Sequence, residues 1–443
     1  MAKKRKPLPA EPITVEIESL THEGRGLAHC DGKVLFVDGA LPGERVQARY
    51  TGIQRHFDEA RVVAVERAAP ERVAPRCPHF GVCGGCRLQH MDPGAQIRMK
   101  QAALADVLQR LGKVAPETWL DPLASAVWGY RRKARLGVRY VAKKGRALVG
   151  FRERGSAFIT DLTRCDILHP AVGEQIPAIA AAIQALSIRE RLPQIEVAIG
   201  DGPAVLVFRT LDPPTPADLA RLGALGAETG LHIYLQDGGL ETIRPLAGQA
   251  MALSYSLPHH GVEIRFEPAD FTQVNLELNR LMVDQALELL DVRPEDRVLD
   301  LFCGLGNFTL PLARKAAEVL GIEGDAGLVA RARRNAERHR LTNVGFETAD
   351  LYGEAALAPW GRGRFDKAVL DPPRSGALPV LDWLPQLGVQ RFVYVSCYPA
   401  TLARDAERLV GALGYRLVAA GAMDMFPHTE HLEAMALFER VES

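Results

Sequence analysis

The fold of the carboxy-terminal half can be predicted from the segment Asp300-Leu-Phe-Cys-Gly304-Leu-Gly306-Asn307. It begins within the apolar run RVLDLF, which predicts a strand, and it leads into residues with a helical pattern. The two glycines allow a tight backbone turn and a close approach to a ligand. The sequence therefore predicts a strand–turn–helix unit whose turn faces a bound, nucleotide-like molecule.

From about Glu288 onward, apolar runs alternate with helical stretches. The runs read EVLGIE, VGFET, FDKAVL, RFVYVS, YRLVAA and MALFERV, and helices are predicted for GLVARARRNAERH and from Thr401. Such alternation predicts a mostly parallel, doubly wound α/β sheet of the Rossmann-like kind. In sheets of this kind the ligand crevice lies at the carboxyl ends of the strands.

Acidic residues stand at these predicted strand ends. Glu323 ends the second strand, 19 residues after Gly304, where it can accept hydrogen bonds from ribose hydroxyls. Asp350 follows the third strand and Asp371 follows the fourth. The glycine spacing is not the G-x-G-x-x-G of dinucleotide folds, so the sequence predicts S-adenosylmethionine rather than NAD.

Two motifs on the same predicted rim carry chemistry. In Asp371-Pro-Pro-Arg374 the prolines end the strand and hold the aspartate at its carboxyl end. In Ser396-Cys397-Tyr398-Pro399 a cysteine precedes a helix, and a helix amino terminus favours the nucleophilic thiolate. A buried, unreactive cysteine is the alternative at position 397.

The segment before the last strand supplies candidate bases. If that strand runs antiparallel, its start lies on the same rim, and Glu433, Glu430, His428 or His431 can reach the site. Spacing does not choose between them. A cysteine, a base and S-adenosylmethionine suit methylation of carbon 5 of a pyrimidine, because thiolate addition at carbon 6 makes carbon 5 nucleophilic and a base then removes its proton.

The amino-terminal part is predicted to contain a small β domain. Residues 1–9 form a basic tail, and residues 10–68 contain short β-like runs that predict a five-stranded, OB-like barrel. Residues 69–266 are expected to form a β-rich α+β central domain that includes a cysteine loop, and 267–443 the α/β domain. Residues 94–112 are predicted to form an amphipathic helix.

Seven cysteines are too few and too unevenly spaced for a disulfide scaffold in a chain of 443 residues. Four of them form a C-x5-C-x2-C loop with a distant fourth member: Cys77, Cys83, Cys86 and Cys165. Four such thiolates predict a metal site. Because only one pair is tightly spaced, an iron–sulfur cluster is favoured only slightly over zinc.

Charge is segregated along the chain, although Lys+Arg and Asp+Glu are equal at 54 each. From Arg131 to Arg164 there are 11 basic and 2 acidic residues, a net charge of +9. Arg131, Lys133, Arg135 and Arg139 alternate along a predicted strand and are expected to line one face, which suits an RNA phosphate backbone. A merely solvated face is the alternative.

The composition, 47% hydrophobic and 24% charged, is typical of a folded globular protein. No apolar run of about 20 residues occurs, and no apolar stretch follows the basic amino terminus. We therefore expect neither a transmembrane helix nor a secretory signal. A cytoplasmic monomer without membrane contact is the default expectation.

These motifs resemble the RNA uracil-C5-methyltransferase family, and the resemblance covers nearly the whole chain. The matching stretches are Phe271-Thr-Gln273-Val-Asn275, 300–308, 371–374, Ser396-Cys397 and His431-Leu-Glu433. The amino-terminal barrel resembles a TRAM domain. Together with the cysteine loop, it is similar to the branch of the family that acts on 23S ribosomal RNA. Structures of this family imply that residues 94–126 are candidates to pack on the catalytic domain.

The resemblance implies a role for each matching residue. Cys397 is the implied nucleophile, Glu433 is the base that removes the carbon-5 proton, and Asp371 lies close to the target base. The residues implied to surround S-adenosylmethionine are Gln273, Phe302, Asn307, Glu323, Asp350 and Asp371. Those implied to hold a [4Fe–4S] cluster are Cys77, Cys83, Cys86 and Cys165. One departure is Tyr398, where the family commonly has asparagine.

Three alternatives remain open at this point. The substrate can be transfer RNA instead of 23S ribosomal RNA. An amino-group methyltransferase would use an Asp/Asn-Pro-Pro-aromatic turn without a cysteine, so Arg374 and Cys397 argue against it. An iron–sulfur RNA-binding protein with an inactive catalytic fold would lose no activity on the substitution Cys397→Ala.

Overall fold

The computed structural model describes residues 8–21, 23–353 and 363–441. The chain divides into two compact units, each made of several chain segments. The first unit comprises residues 1–99, 151–160 and 426–431, and the second comprises residues 100–150, 161–425 and 432–443. The three-domain limits expected from the sequence stay a prediction.

The first unit contains a six-stranded sheet with the order β1-β5-β6-β4-β3-β2. Its strands are β1 (Ile13–Glu16), β2 (Ser19–Leu20), β3 (Gly26–Cys30), β4 (Lys33–Asp38), β5 (Arg45–Ile53) and β6 (Phe57–Arg67). All neighbours are antiparallel except β4 and β6. Alternate apolar side chains form a buried core that includes Val15, Leu35, Val37, Val46 and Ala60.

This sheet has six strands where the sequence predicts five. The run ITVEIESL does not form one strand, because the chain changes partner in its middle: the Ile17 amide donates to Glu44 O, and the Glu18 amide donates to Leu27 O. β1 therefore pairs with β5, whereas β2 pairs with β3. The GLAHC segment that forms β3 lacks a clear alternating pattern in the sequence.

A buried carboxylate ties the loops next to this sheet. The fully buried Glu44 side chain accepts hydrogen bonds from the amides of Leu41 (2.8 Å) and Ala69 (3.2 Å). Its two oxygens also accept from the Arg72 guanidinium. Backbone donors and a charged partner thus satisfy a carboxylate that is removed from water.

The second unit contains a six-stranded central sheet with the order β13-β12-β11-β10-β8-β9. Its strands are β8 (Lys133–Val141), β9 (Arg146–Gly150), β10 (Gln194–Ile199), β11 (Ala204–Arg209), β12 (His232–Gln236) and β13 (Arg244–Pro245). The helices in this region are α2 (Pro170–Gly173), α3 (Ile176–Gln184) and α4 (Pro216–Thr229). A separate hairpin follows, made of β14 (Leu253–Leu257) and β15 (Val262–Phe266).

The second unit also contains an eight-stranded sheet with the order β18-β17-β16-β19-β20-β22-β21-β7. Its strands are β7 (Thr118–Trp119), β16 (Arg297–Leu301), β17 (Glu318–Glu323), β18 (Val344–Thr348), β19 (Lys367–Leu370), β20 (Arg391–Ser396), β21 (Tyr415–Met423) and β22 (Glu433–Arg440). The helices associated with this part of the chain are α5 (Leu276–Leu290), α6 (Thr309–Ala313), α7 (Ala326–Arg338), α8 (Leu378–Leu381), α9 (Trp383–Gln386) and α10 (Pro399–Ala412).

Strands β16 to β20 are parallel to one another, and β22 is antiparallel to both β20 and β21. The predicted doubly wound α/β sheet is confirmed. Chain order reverses between β16 and β19, and at such a switch point the loops leave the sheet in opposite directions and open a crevice. This crevice lies at the carboxyl ends of the strands that carry the predicted motifs.

The remaining helix, α1 (Pro93–Arg110), corresponds to the helix predicted at residues 94–112. Short 3-10 turns occur at Ala142–Lys144, Arg189–Arg191, Leu240–Thr242 and Pro258–His260. Among the described residues, no helix is both long and apolar enough to cross a membrane.

The Glu44 network yields a stability prediction. Glu44→Gln should lower the free energy of unfolding by about 1–3 kcal/mol, because one buried acceptor becomes a donor that faces backbone N–H groups. Urea denaturation measures this loss. Glu66→Gln, at an exposed ion pair with Arg45, is the control and should change stability by less than about 1 kcal/mol. Equal effects of both substitutions would contradict the prediction.

Candidate active site

Glu433 lies beside Cys397 because of how β22 pairs with β20. Ser396, the last residue of β20, is in register with Ala434, the second residue of β22. Cys397 directly follows Ser396, and Glu433 directly precedes Ala434, so the two residues meet at one edge of the sheet. The antiparallel direction expected for the last strand is confirmed.

Asp371 joins them from the neighbouring strand. Leu370, the last residue of β19, is paired with Leu301 on one side and with Tyr394 on the other. The Asp371 amide then donates to Leu301 O at 3.3 Å. The carboxyl group is close enough to raise the pKa of both Cys397 and Glu433. The structure thus brings the predicted nucleophile, base and aspartate together.

Burial keeps the Cys397 thiol protonated in the ligand-free protein. Burial raises its pKa to about 11, and the neighbouring Glu433 and Asp371 act in the same direction, whereas Arg374 opposes them. The expectation that the helix amino terminus favours a thiolate is therefore wrong for this state. α10 does begin at Pro399, but desolvation outweighs the helix dipole here.

The carboxyl groups of the site also have raised pKa values. Burial, with a contribution from the charge of Asp371, raises the pKa of Glu433 to about 8. Burial also raises the pKa of Asp371 to about 7 and that of Asp300 to about 7. Carboxyl groups that titrate near neutral pH suit proton transfer, which is most effective when the pKa lies near the working pH.

A buried ion pair that sequence reasoning missed lies next to Glu433. Lys100 Nζ is 2.6 Å from Asp424 Oδ1, and both side chains are almost completely buried. Asp424 follows Met423, which is paired with Glu433 in the register of β21 and β22. The Lys100 charge lowers the pKa of Glu433 and so limits the effect of burial. In the sequence, the only indication of this buried pair was a lysine within the helical pattern of residues 94–112.

The turn after β16 has the shape of a ligand-binding turn. Phe302, Gly304 and Gly306 all have positive φ angles, of 67°, 54° and 91°. A non-glycine residue such as Phe302 adopts this conformation at a cost, and such strained residues cluster at functional sites. Space is open beside the Gly304 α-carbon, since a Cβ there would meet no atom within 4 Å.

The two acidic residues at the next strand ends hold the local backbone. Glu323 accepts hydrogen bonds from the amides of Gly304 (3.1 Å) and Asp325 (3.0 Å). Asp350 Oδ1 accepts from the Tyr352 amide at 2.9 Å. The Tyr352 ring packs 5.7 Å from the Phe302 ring, centroid to centroid. Glu323, Asp350 and Phe302 thus surround the turn, as expected of a cofactor site.

Asp300 supplies an independent sign that the turn faces a polar ligand. Its side chain is completely buried, and Oδ2 accepts a hydrogen bond from the Thr309 hydroxyl. Oδ1 is also buried and has no hydrogen-bond partner among the described residues. Buried polar atoms are normally paired, so an unpaired one marks a place for water or ligand atoms. These residues fit S-adenosylmethionine.

Asn307 is engaged within the protein. Its Oδ1 accepts hydrogen bonds from the Tyr255 hydroxyl (2.9 Å) and from Asn279 Nδ2 (3.0 Å). Its Nδ2 donates to Asn279 Oδ1 at 2.9 Å. This reciprocal amide pair links the cofactor turn to α5 and to the β14–β15 hairpin. In this arrangement Asn307 shapes the site.

The basic strand predicted to contact RNA is only partly exposed. β8 begins at Lys133, so Arg131 precedes it. Lys133 is half-buried, burial lowers its pKa, and its ammonium donates to Pro268 O. Arg135 is exposed and pairs with Glu196 at 2.9 Å, and Arg139 is exposed. Lys133, Arg135 and Arg139 alternate with the buried residues Ala134, Leu136 and Val138, so they share one face of β8. Their contact with RNA stays a prediction.

Residues at the start of β8 form hydrogen bonds to the segment that contains Gln273. The Arg132 amide donates to Val274 O at 2.8 Å, and Arg131 forms an isolated bridge with Asn275. Together with the Lys133 contact at Pro268, these bonds fix the backbone on both sides of Gln273. Gln273 itself is half-buried, whereas its neighbour Phe271 is 71% exposed.

The other candidate bases lie in the first unit. Glu430 pairs with the Arg87 guanidinium at 3.2 Å. The His428 amide donates to Gln96 Oε1 at 2.8 Å, and its ring Nδ1 is 3.2 Å from Gln96 Nε2. His431 packs its ring 5.4 Å from that of Phe426. Of the four candidates, Glu433 is the one that shares a unit with Cys397.

The tyrosine at position 398 leaves the nucleophile turn intact. Tyr398 is 50% exposed and forms no side-chain cap of α10. The Ser396 hydroxyl accepts from the Tyr398 amide at 3.2 Å, and the Thr401 hydroxyl donates to Tyr398 O at 2.9 Å. These two hydroxyl groups hold the turn, so an asparagine side chain is not required for it.

The remaining cysteines divide into two kinds. Cys303 is 4% exposed, and burial raises its pKa well above the ordinary value, so it is a packed, unreactive thiol. Cys77, Cys83 and Cys86 lie on one loop of the first unit, where the Gly85 amide donates to Cys83 Sγ at 3.4 Å. Cys165 belongs to the second unit. Within the described ranges, no group of three or more His, Cys, Asp or Glu side chains is placed so that it could hold a metal ion.

Comparison with known proteins identifies the family. The profile of the tRNA (Uracil-5-)-methyltransferase family matches residues 249–355 and 360–441, and that of the TRAM domain matches residues 10–63. The 23S rRNA (uracil(1939)-C(5))-methyltransferase RlmD of Alkalilimnicola ehrlichii is 56% identical over 441 residues, or 99% of each chain. That of Methylococcus capsulatus is 55% identical over 438 residues, again 99% of each chain. This chain belongs to the RlmD family.

The fold has also been seen in a solved structure. The tRNA (uracil-54, C5)-methyltransferase of Pyrococcus abyssi, in complex with S-adenosyl-L-homocysteine, matches with a TM-score of 0.73 and 23% identity. The match covers 96% of this chain and 100% of that one. This likeness confirms the overall fold. The TRAM and methyltransferase domains are confirmed by the family profiles, and the chain is an enzyme of the RlmD family by its 56% identity to a curated member.

The raised pKa of Glu433 predicts a pH-dependent stability. Because its pKa rises from 4.5 to about 8 on folding, its contribution to stability is largest below pH 4.5 and is lost as the pH rises through about 8. Between about pH 5 and pH 9, Glu433→Gln should therefore lose less unfolding free energy than the wild type, as measured by urea denaturation.

Glu430→Gln is the matched control for this comparison, because Glu430 precedes the same strand but pairs with Arg87. It should retain the pH dependence of the wild type. A Glu433→Gln protein whose stability follows that of the wild type at every pH would contradict the burial of this carboxyl group.

Proposed function

We propose that this enzyme methylates carbon 5 of a uridine in 23S ribosomal RNA, with S-adenosylmethionine as methyl donor. The observation that carries the proposal is the juxtaposition of Cys397, Asp371 and Glu433 at the end of a methyltransferase sheet. An amino-group methyltransferase needs no such cysteine. The names of the RlmD relatives support position 1939 as the target uridine.

The first part of the reaction needs a thiolate. Cys397 must lose its proton before Sγ can form a bond to carbon 6 of the uracil. This proton passes to Asp371, the neighbouring carboxyl group whose pKa is about 7, so that Glu433 stays a carboxylate for the later step. Arg374 stabilises the negative charge on sulfur. As the Sγ–C6 bond forms, the C5=C6 electron pair moves toward carbonyl oxygen 4, and carbon 5 becomes nucleophilic.

The second part of the reaction needs a base. Carbon 5 bonds to the methyl group as the methyl–sulfur bond of the donor breaks, its electron pair stays on sulfur, and S-adenosylhomocysteine leaves. Carbon 5 still carries its hydrogen, and Glu433 as carboxylate accepts this proton. The electrons of the C5–H bond then restore the C5=C6 double bond, and the C6–Sγ bond breaks to release Cys397. Burial of Glu433 suits this role, because a carboxylate in an apolar place is a stronger base than one in water.

The methyl donor is proposed to bind at the turn after β16. When bound, S-adenosylmethionine supplies an electrophilic methyl group. The residues proposed to hold it are Gln273, Phe302, Glu323, Asp350 and Asp371, with Asn307 keeping the turn in place. Asp300 Oδ1 faces the same turn with an unused acceptor site.

We also propose that Cys77, Cys83, Cys86 and Cys165 hold a [4Fe–4S] cluster. The donor set fits this group, because four thiolates are its usual ligands. The Gly85 amide, which donates to Cys83 Sγ, supplies the kind of N–H···S bond that stabilises a thiolate ligand. The role proposed for the cluster is structural, since the site chemistry needs no electron transfer.

The proposed partner is 23S ribosomal RNA, and Arg135 and Arg139 remain candidates to contact its backbone. A cytoplasmic location follows from that substrate, and a monomer is the proposed oligomeric state. Arg131 and Lys133 are proposed to act indirectly, by fixing the backbone around Gln273.

The proposed chemistry predicts coupled methylation and proton loss. With rRNA fragments labelled with tritium at uridine carbon 5, the wild type should release tritium in step with methyl transfer. Cys397→Ser should lower both rates by at least about 1,000-fold, because the nucleophile that activates carbon 5 is gone. Cys30→Ser, on β3 of the first unit, is the control and should leave both rates within a few-fold of the wild type.

Tritium release that continues in Cys397→Ser would overturn the nucleophile assignment. Methylation without tritium release would overturn carbon 5 as the target. A wild-type protein that binds the RNA and the methyl donor but transfers no methyl group would support a binding protein with an inactive catalytic fold.

The proposed cluster is tested by metal and sulfide analysis. Protein purified without oxygen should contain about four iron and about four sulfide per chain. Cys86→Ser should lose most of both, whereas Cys303→Ser should retain them. Zinc without sulfide in the wild type would contradict the iron–sulfur assignment. It would show that the four cysteines bind a structural zinc ion.

A further inference from the structure

Four arginines surround a cavity of the second unit that contains no residue of the reaction site. The cavity has a volume of about 130 Å³ and lies between α7 and the β14–β15 hairpin. The arginines that line it are Arg265, Arg331, Arg334 and Arg338. The function proposed above does not use any of them.

The sequence of α7 places three of these arginines on one helical face. Arg331, Arg334 and Arg338 are spaced by three and four residues, so their side chains are neighbours along the helix. Asn335 lies between them and is buried. Its side chain accepts from the Arg265 amide (3.1 Å) and donates to Arg265 O (3.0 Å), so α7 is fixed to β15 across the cavity.

The cavity has an excess of positive charge. Arg334 and Arg338 are exposed, and neither forms an ion pair with a carboxylate of the described chain. Arg331 Nη2 pairs with Asp270 at 2.6 Å, but its buried Nε has no acceptor among the described residues. Arg265 Nε is 3.5 Å from Glu263, and Glu267 is the acidic residue of the lining, so Arg334 and Arg338 carry the excess charge. Like charges gathered this closely favour an anion between them.

The loop that begins at Glu267 in the cavity lining continues along the chain to Gln273 of the proposed cofactor site. Asp270 uses its second oxygen to accept from the Glu267 amide at 2.7 Å, so the Arg331–Asp270 pair closes the loop 267–270. Lys133 holds the same loop at Pro268 O. The next residues are Phe271 to Gln273. An anion at the arginines would therefore touch the loop that positions the proposed cofactor contact.

We propose that this arginine cavity binds a backbone phosphate of the substrate RNA at a position outside the target uridine. The planar guanidinium forks match phosphate oxygens, and two of them stand on an exposed helix face that a polymer can reach. The Phe266 ring in the lining is buried, and the Asn335 amide is already bonded to the Arg265 backbone, so the cavity mainly presents guanidinium charge. Such charge suits a contact that positions RNA rather than specifies sequence. This proposal rests on the proposed RNA substrate.

The test compares two double variants that remove the same charge. Arg334→Ala/Arg338→Ala should weaken binding of an rRNA fragment by at least about 10-fold at low salt. It should also reduce the slope of log K against log salt by about 1–2. With fewer phosphate contacts, fewer counterions are released from the RNA when the protein binds. The turnover number at saturating RNA should be unchanged, since these residues do not touch the reacting atoms.

Arg209→Ala/Arg221→Ala is the matched control, because both residues are exposed arginines of the same unit on β11 and α4. It should change affinity by less than about 2-fold. Equal losses in the two double variants would overturn the proposal in favour of a general charge effect. Wild-type affinity and salt slope in Arg334→Ala/Arg338→Ala would overturn it outright.

A measurement on the wild-type protein covers the case in which the variant does not fold. Arginine modification by phenylglyoxal, mapped by mass spectrometry, should be slowed at Arg334 and Arg338 by the rRNA fragment and unchanged at Arg221. Protection by inorganic pyrophosphate, with none by RNA, would overturn RNA as the source of the phosphate. Absence of methyl transfer by the wild type would instead refute the proposed function. That assay is independent of the affinity and protection measurements, which test the arginine cavity.

Discussion

The antiparallel pairing of β22 with β20 is the constraint on which the reaction site depends. It brings the start of the last strand to the carboxyl end of β20, where Ser396 is paired with Ala434. The register is set by packing deeper in the sheet, because Phe392 and Phe438 are paired in the same ladder and stack with their ring centroids 5.0 Å apart. A slip of one residue would turn Glu433 to the opposite face of the sheet and away from Cys397.

Burial determines the protonation state of the assembled site. The thiol of Cys397 and the carboxyl groups of Asp371 and Glu433 all have raised pKa values, because desolvation disfavours each charged form and the negative charges repel one another. Lys100 and Arg374 act in the opposite direction on Glu433. In the ligand-free site the raised pKa values favour protonated Cys397 and Glu433, although the reaction needs a thiolate and a carboxylate. Arg374 lowers both of these pKa values and Lys100 lowers that of Glu433, so the two cations make proton loss easier.

Much of the fold and of the site could be predicted, because parallel strands bring their carboxyl ends to one edge. That geometry made Glu323, Asp350, Asp371 and Cys397 recognisable as one group. Glu433 could not be separated from Glu430 by spacing, since the choice depends on register. The Lys100–Asp424 pair joins residues 324 positions apart and left no local pattern. The thiolate expectation was wrong because a helix dipole contributes only about 0.3–1 kcal/mol, which is less than the effect of burial on the Cys397 pKa. Lys133 alternates like an exposed residue, but the 268–275 segment packs over the start of its strand.

The most direct test of the account is a covalent trap. A 23S rRNA fragment that carries 5-fluorouridine at the target position is mixed with the enzyme and S-adenosylmethionine, and the product is mapped by mass spectrometry. Fluorine cannot leave carbon 5 as a proton, so the thiolate mechanism predicts a stable adduct between Cys397 and carbon 6 of the methylated base. With RNA and S-adenosylmethionine both bound, the absence of an adduct, or an adduct on another residue, would contradict the thiolate mechanism.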